Sequence, residues 1–290
     1  MDQAQQLRDI VKAKNQNTKR ARVITVTSGK GGVGKSNTCV NLAIQLQRKG
    51  KSVIIVDADF GLANVEVMFG ELPKYNLGDV IFRGKSIQEI ITRGPEGVGF
   101  ISGGSGVVGL NKLKREQLAY LIHNLSFLEQ MADVIIIDTG AGIADNVLEL
   151  ALSSPEVIVV TTPEPSSLTD SYAILKALIR SPKYNKDTVI RVLANKVSSI
   201  EDGEAVHSKL ASVVQKFLGA SFEFLGMVPA DPMIDKAIRQ QKPVSISYPN
   251  SKSAKAYEIV ADNLLNNVCN KPTVQKGIAE LLTGFITKRI

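Results

Sequence analysis

Residues Gly29-Lys30-Gly31-Gly32-Val33-Gly34-Lys35-Ser36 fit the pattern G-x-x-x-x-G-K-[ST]. An apolar β-rich run, 23–27, precedes them and a helical pattern, 35–48, follows. The motif needs that context. Its glycines let backbone N–H groups close around phosphate oxygens, and the helix N-terminus adds its dipole. In such a loop Lys35 bridges the β- and γ-phosphates of a nucleotide, and the Ser36 hydroxyl ligates Mg²⁺. A chain built on this unit sets a strand beside a helix, which points to an α/β fold.

The rest of the chain repeats the unit. Apolar runs at 53–56, 134–137, 157–160, 189–193 and 224–228 mostly lack polar alternation, as strands buried on both faces do. Helical patterns lie at 115–131, 143–152, 166–179, 202–218 and 254–267. This β-α-β-α order predicts a mostly parallel central sheet with helices on both faces, one P-loop NTPase domain. There is no internal repeat and no Pro/Ser-rich linker. The expected division is a basic N-terminal arm (1–20), the nucleotide domain (21–268) and a C-terminal tail (269–290). Residues 94–109 are glycine-rich and read as a strand ending in a loop, with an unspecific phosphate-binding role as the competing reading.

Charge sharpens the division. The formal net charge is +7, of which residues 1–22 carry +4 and residues 271–290 carry +3, so residues 23–270 are neutral. Basic ends of this kind seek acidic partners. Two cysteines, Cys39 and Cys269, are too few for a disulfide framework or a four-thiolate metal site. No stretch approaches the ~20 apolar residues of a membrane span, and MDQAQQLRDI has no apolar signal core. The expectation is a reduced, cytoplasmic protein.

Lys30 is a second lysine that the plain motif does not need. It is either a solvated loop residue or a group aimed at a second subunit's nucleotide. The string 30–36 resembles the deviant Walker A loop of the MinD/ParA ATPases. That resemblance implies ATP/ADP and Mg²⁺ as ligands, and an ATP-bound homodimer in which Lys30 crosses the interface. Val56-Asp57-Ala58-Asp59, followed by 60–64, resembles the family's first switch. There Asp59 would orient the attacking water and Asp57 would support Mg²⁺; their plainer reading is a pair of solvated acids. Residues 135–142 resemble Walker B and the second switch, with Asp138 holding Mg²⁺ through water. Many relatives write proline where this chain has Gly140.

The same resemblance implies nucleotide contacts from Gly29, Lys30, Gly31, Gly32, Val33, Gly34, Lys35, Ser36 and Asn37. It places adenine on Asn195, helped by the loop of Pro229 and Asp231, whose competing reading is turn formation. It gives catalysis to Lys30, Lys35 and Asp59, and a dimer interface to Lys30, Asn64, Glu164 and Asp170. Asp170 would pair with Lys30, or simply complement a helix dipole. Neither the C-x-x-C of iron–sulfur scaffold ATPases nor cysteines near the second switch are present.

Both ends extend the resemblance. Asp2, Gln3, Gln5, Gln6, Leu7 and Arg8 match the DQAxxLR segment of the FlhG (FleN, YlxH) branch, regulators of flagellar number and placement. That segment implies stimulation of an FlhF-type GTPase of the signal-recognition-particle class. Flagellar switch (C-ring) proteins or a flagellar transcription regulator are further implied partners. In the tail, Ile278, Leu281, Leu282, Phe285 and Ile286 recur at i, i+3, i+4, i+7 and i+8. The stripe is either a last helix docked on the core or a helix with basic flanks at the anionic inner face of the membrane. The rival reading is a ParA-type partition ATPase that binds DNA non-specifically. A neutral folded region argues against it, and nucleic acid is not an expected partner.

Overall fold

The computed structural model describes residues 21–59, 64–104 and 115–266. Among the described residues eight strands form one sheet: β1 (Arg22–Ser28), β2 (Val53–Ala58), β3 (Thr92–Arg93), β4 (Gly99–Ile101), β5 (Val134–Ala141), β6 (Glu156–Thr161), β7 (Val189–Val197) and β8 (Glu223–Pro229). Their order is β3-β4-β2-β5-β1-β6-β7-β8, and every pairing except β3 with β4 is parallel.

Alternation along the strands decides the layering. In β5, Val134 and Ile136 join one apolar cluster while Ile135 and Ile137 join another, and all four are buried. Both faces of the sheet therefore need cover. One face receives α1 (Lys35–Arg48), α2 (Asn64–Phe69), α9 (Pro232–Arg239), α10 (Val244–Ser247) and α11 (Lys252–Leu265). The other receives α3 (Leu77–Arg83), α4 (Ile87–Ile90), α5 (Arg115–Ser126), α6 (Asp145–Ser153), α7 (Pro165–Arg180) and α8 (Ile200–Leu218). Helix α1 is buried without a break from Lys35 to Leu46, so the helix that carries the phosphate loop is also the centre of the core.

The six long parallel strands and α1 lie where the sequence puts them. The pattern over 115–131 instead ends its α-helix at Ser126 and continues as a 3₁₀ turn, Phe127–Gln130. Residues 94–109 supply β4, and 105–109 lie outside the described residues. Five short helices (α2, α3, α4, α9 and α10) carry too few residues for a 3.6 period to declare itself. Capping chemistry marks two of them: Asn76 with Asp79, and Ser86 with Glu89, form reciprocal capping boxes.

The arm residues Asp2, Gln3, Gln5, Gln6, Leu7 and Arg8 and the tail residues Ile278, Leu281, Leu282, Phe285 and Ile286 lie outside the described residues. Among the described residues no helix is long and apolar enough to cross a membrane.

Candidate functional site

β1 lies between β5 and β6, and its C-terminal end opens onto a cleft of about 480 Å³. Crevices beyond strand ends, where successive connections leave in opposite directions, are the usual ligand position in such sheets. The loop after β1 forms the wall. Gly34 stands at the helix N-cap with φ 94°, a left-handed conformation that glycine adopts without strain. Gly29 is required by space: a Cβ there would meet the Asp170 carbonyl oxygen at 2.1 Å. Gly31, Gly32, Gly34, Lys35, Ser36 and Asn37 all line the cleft. Buried Asn41 braces the helix start by donating to the Asn37 carbonyl at 2.8 Å and to Asn37 Oδ1 at 2.6 Å.

Lys35 Nζ donates to Asp138 Oδ1 at 3.2 Å, both groups being buried. Burial works against the ammonium most strongly, but the charge and hydrogen bond of Asp138, with Cys39 and Asp59 adding to them, together hold Lys35 above its ordinary value. Asp57 is equally buried, and desolvation, with Asp138 adding like charge, pushes its carboxyl up to about 7. Its oxygens are already engaged: Oδ1 accepts from Asp59 N–H, and Oδ2 accepts from Asn64 N–H and Val65 N–H. Asp57 thus holds the backbone on both sides of residues 60–63, at Asp59 and at Asn64 and Val65. Asp59 faces the cleft, and its Oδ2 accepts from Asn64 Nδ2 at 3.2 Å.

These residues fit a nucleotide-borne Mg²⁺. Asp138 Oδ2 is buried with no hydrogen-bond partner, an acceptor waiting for a donor or a hydrated cation. Among the described residues no group of three or more His, Cys, Asp or Glu could hold a metal by itself. Mg²⁺ suits that arrangement, since it retains several waters and binds through one or two protein oxygens plus phosphates. Ser36 and Asp138 are the residues that would supply such oxygens, with Asp57 behind them.

At the far end, Asn195 Nδ2 donates to the Val33 carbonyl at 2.7 Å, while its Oδ1 is buried without a partner. Lys196 adopts φ 57° and donates to the Gly32 carbonyl at 2.8 Å. Consecutive strand residues normally point to opposite faces. The left-handed turn at Lys196 breaks that alternation, so neighbouring side chains latch neighbouring carbonyls of the phosphate loop. Pro229 and Asp231 are not among the cleft-lining residues. Pro229 ends β8, and Asp231 caps α9 through Met233 N–H while its other oxygen accepts from Ser253 N–H and Oγ. Burial opposes its charge, but these bonds hold the carboxyl below its ordinary value. The helix that Asp231 starts supplies Ile234, Asp235 and Ile238 to the wall, with Met68 and Tyr257 beside them. Tyr257 is fully buried, and burial pushes its phenol up to about 12.

On the outer rim, Lys30 Nζ donates to Glu164 Oε2 and Ser166 Oγ, each at 2.9 Å. Within the chain the partner of Lys30 is thus Glu164; Asp170 meets the loop through its backbone, at Gly29. Cys39 is buried one turn along α1, where desolvation raises its thiol well above the ordinary value.

The ParA family, described as NUBPL iron-transfer P-loop NTPase, matches residues 19–265. The antiactivator FleN of Pseudomonas aeruginosa is 39% identical over 243 residues, 84% of this chain and 86% of FleN. The flagellum site-determining protein YlxH of Helicobacter pylori is 33% identical over 274 residues, 92% of this chain and 91% of YlxH. Among solved structures, the septum site-determining protein MinD of Pyrococcus horikoshii, complexed with Mg-ADP, superposes with a TM-score of 0.68 at 27% identity. That match covers 86% of this chain and 98% of the MinD chain.

Proposed function

This chain belongs to the ParA/MinD family of P-loop NTPases, and we propose that it is an ATP-dependent dimerising switch that regulates flagellar number and placement. The observation that carries the reading is the phosphate loop with two lysines in two settings. Lys35 is buried against Asp138, and Lys30 is presented on the rim by Glu164.

Mg²⁺-ATP supplies the phosphoryl bond to be broken and a divalent charge to offset its phosphates. Lys35 turns its ammonium from Asp138 to the β- and γ-phosphate oxygens. Asp59, steadied by Asn64, orients the attacking water. Lys30 leaves Glu164 and reaches the nucleotide of a second subunit, placing charge where the transition state needs it. Glu164, Asp170 and Asn64 then lie at the dimer interface. Asn195 keeps one free acceptor for the adenine edge, and the Ile234–Ile238 wall flanks the base.

The names of the relatives support the wider role: one is an antiactivator, the other determines a flagellar site. In this reading the arm stimulates an FlhF-type GTPase, and the tail binds the anionic inner face of the membrane when ATP pairs two copies. A transcription regulator or a flagellar switch protein is the downstream partner, and the protein is cytoplasmic and peripherally membrane-associated. The test is light scattering with ADP and with a non-hydrolysable ATP analogue, plus GTPase assays of the cognate FlhF-type protein. A monomer in both nucleotide states and an unstimulated GTPase would overturn it.

A further inference from the structure

Helix α1 runs through the centre of the core, yet it carries a polar line. Asn37, Asn41 and Gln45 recur at i, i+4 and i+8 and so stack along one side of the helix. All three are buried, Asn41 completely, among the equally buried Val40, Leu42, Ala43, Ile44 and Leu46. Buried amides are costly unless their bonds are complete, and a half-satisfied set is worse than apolar packing.

The hydrogen bonds fix which way each amide faces. Ser245 N–H, in α10, donates to the Asn41 side chain at 2.9 Å. A backbone N–H only donates, so the Asn41 atom that meets it is Oδ1. Asn41 Nδ2 then donates to the Asn37 carbonyl at 2.8 Å, an atom that only accepts, and to the Asn37 side chain at 2.6 Å. The Asn37 atom facing Asn41 is therefore Oδ1. Its Nδ2 is turned the other way and bonds no described residue, while Asn37 lines the cleft. One turn on, Gln45 donates to Ser245 Oγ at 3.3 Å and to the Ala254 carbonyl at 3.4 Å, which pins α10 and α11 to α1.

We propose that Asn41 is a positioning residue for the nucleotide: anchored by the Ser245 backbone, it holds the Asn37 amide with its Nδ2 end toward the cleft, as a donor to a phosphate oxygen. The inference rests on the nucleotide reading of the cleft and supplies an orientation which that reading leaves open. The sign matters. Phosphate oxygens are anionic and accept, so the Nδ2 end attracts them and the Oδ1 end would repel them. An amide free to rotate would divide its time between the two ends and would have to be ordered on binding. The bond from Ser245, 204 positions along the chain, removes the choice.

The test is a double-mutant cycle on the full chain, read by titration with a fluorescent ATP analogue, by steady-state ATPase kinetics and by calorimetric melting. Asn41→Leu removes the bonds of this amide at similar volume. It should weaken nucleotide binding on the order of 10-fold, the scale of one hydrogen bond to a charged group, and raise KM with kcat nearly unchanged. Asn37→Ala should weaken binding at least as much. In the Asn37→Ala background, Asn41→Leu should still lower Tm but cost no further affinity, because Asn41 acts on the ligand only through Asn37. Gln45→Leu removes the neighbouring pair of bonds without touching Asn37, so it should lower Tm and leave affinity at the parent value. Additive losses of affinity in the double variant, or a loss in Gln45→Leu equal to that in Asn41→Leu, would mean general loosening of α1 and overturn the proposal. Asn37→Asp keeps the bond from Asn41 and replaces only the group that faces the cleft, so it should bind far more weakly than Asn37→Ala. Parent-like binding by Asn37→Asp would overturn the proposal even if Asn41→Leu did not fold. A parent chain that fails to bind the analogue would remove the nucleotide reading itself, and the proposal with it.

Discussion

Lys30 Nζ sits 2.9 Å from Glu164 Oε2, so the second lysine of the phosphate loop is held by its own chain. The pair is exposed, and the Lys30 hydrogen bond and charge hold the Glu164 carboxyl below its ordinary value. Exposed pairs are weak and salt-sensitive, which suits a contact that the proposed dimer exchanges for another. Glu164→Gln should therefore let the ATP-bound dimer form severalfold more readily at low salt, with the gain fading at high salt. Light scattering against protein concentration reads it. Weaker dimerisation of this variant would mean that Glu164 itself bridges the two copies.

Asp59 is the group proposed to orient the attacking water. It faces the cleft, accepts from Asn64, and has Gly140 close behind it: a Cβ at 140 would stand 3.2 Å from Asp59 Oδ1. Asp59→Ala should keep ATP affinity but cut hydrolysis roughly 100-fold or more, since a positioned general base or water-orienting group contributes on that scale. Gly140→Ala should cost less, by crowding the carboxylate rather than removing it. Phosphate release under saturating ATP measures both, and a parental rate in Asp59→Ala would remove the assignment.

Much of this is legible in the sequence, and the exceptions share a cause. Strands such as Val134–Ile137 are unbroken apolar runs because both faces of the sheet are covered, and burial on two sides is written directly into composition. The phosphate loop is legible because glycines and a lysine at fixed spacing do one job. Helix α9 is not: eight residues beginning at Pro232 make little more than two turns, yet Ile234 and Ile238 wall the cleft. Asp231 looks the same in sequence whether it meets a base or caps a helix. Only the approach of Ser253, 22 positions on, separates the two. The left-handed backbone of Lys196 has no signature in residue type, since any lysine after a strand's asparagine would read alike.

Lys35 and Asp138 are interdependent. Lys35→Met would leave a buried carboxylate without its cation, and breaking a buried pair from one side costs roughly 3–5 kcal/mol. For a domain of this size that corresponds to a fall in Tm of roughly 6–20 °C. ATP binding should be lost as well. Lys35→Met with Asp138→Asn should recover most of the Tm without recovering binding, because the orphaned charge is gone and the phosphate contact is not restored. Calorimetric melting beside nucleotide titration separates the two effects. An unchanged Tm in the single variant would show that water already satisfies Asp138.

The latch at Lys196 separates backbone cost from contact. Its φ of 57° strains any side chain with a Cβ, and the amine repays the strain by tethering the Gly32 carbonyl at 2.8 Å. Lys196→Gly removes the tether and the strain together, so stability should change little. Lys196→Val removes the tether and adds a β-branched side chain at a left-handed position, where such residues are least tolerated, and should cost on the order of 1–3 kcal/mol. Both lose the contact that keeps the Gly32 carbonyl turned toward residue 196, so nucleotide affinity should weaken severalfold in each. Asn195→Ala, which frees the neighbouring Val33 carbonyl, should weaken it further and also lose discrimination between ATP and GTP. Denaturant melts give the backbone term, and titration with a fluorescent ATP analogue gives the contact term. If Lys196→Gly bound ATP as tightly as the parent, Asn195 alone would be sufficient to hold the loop.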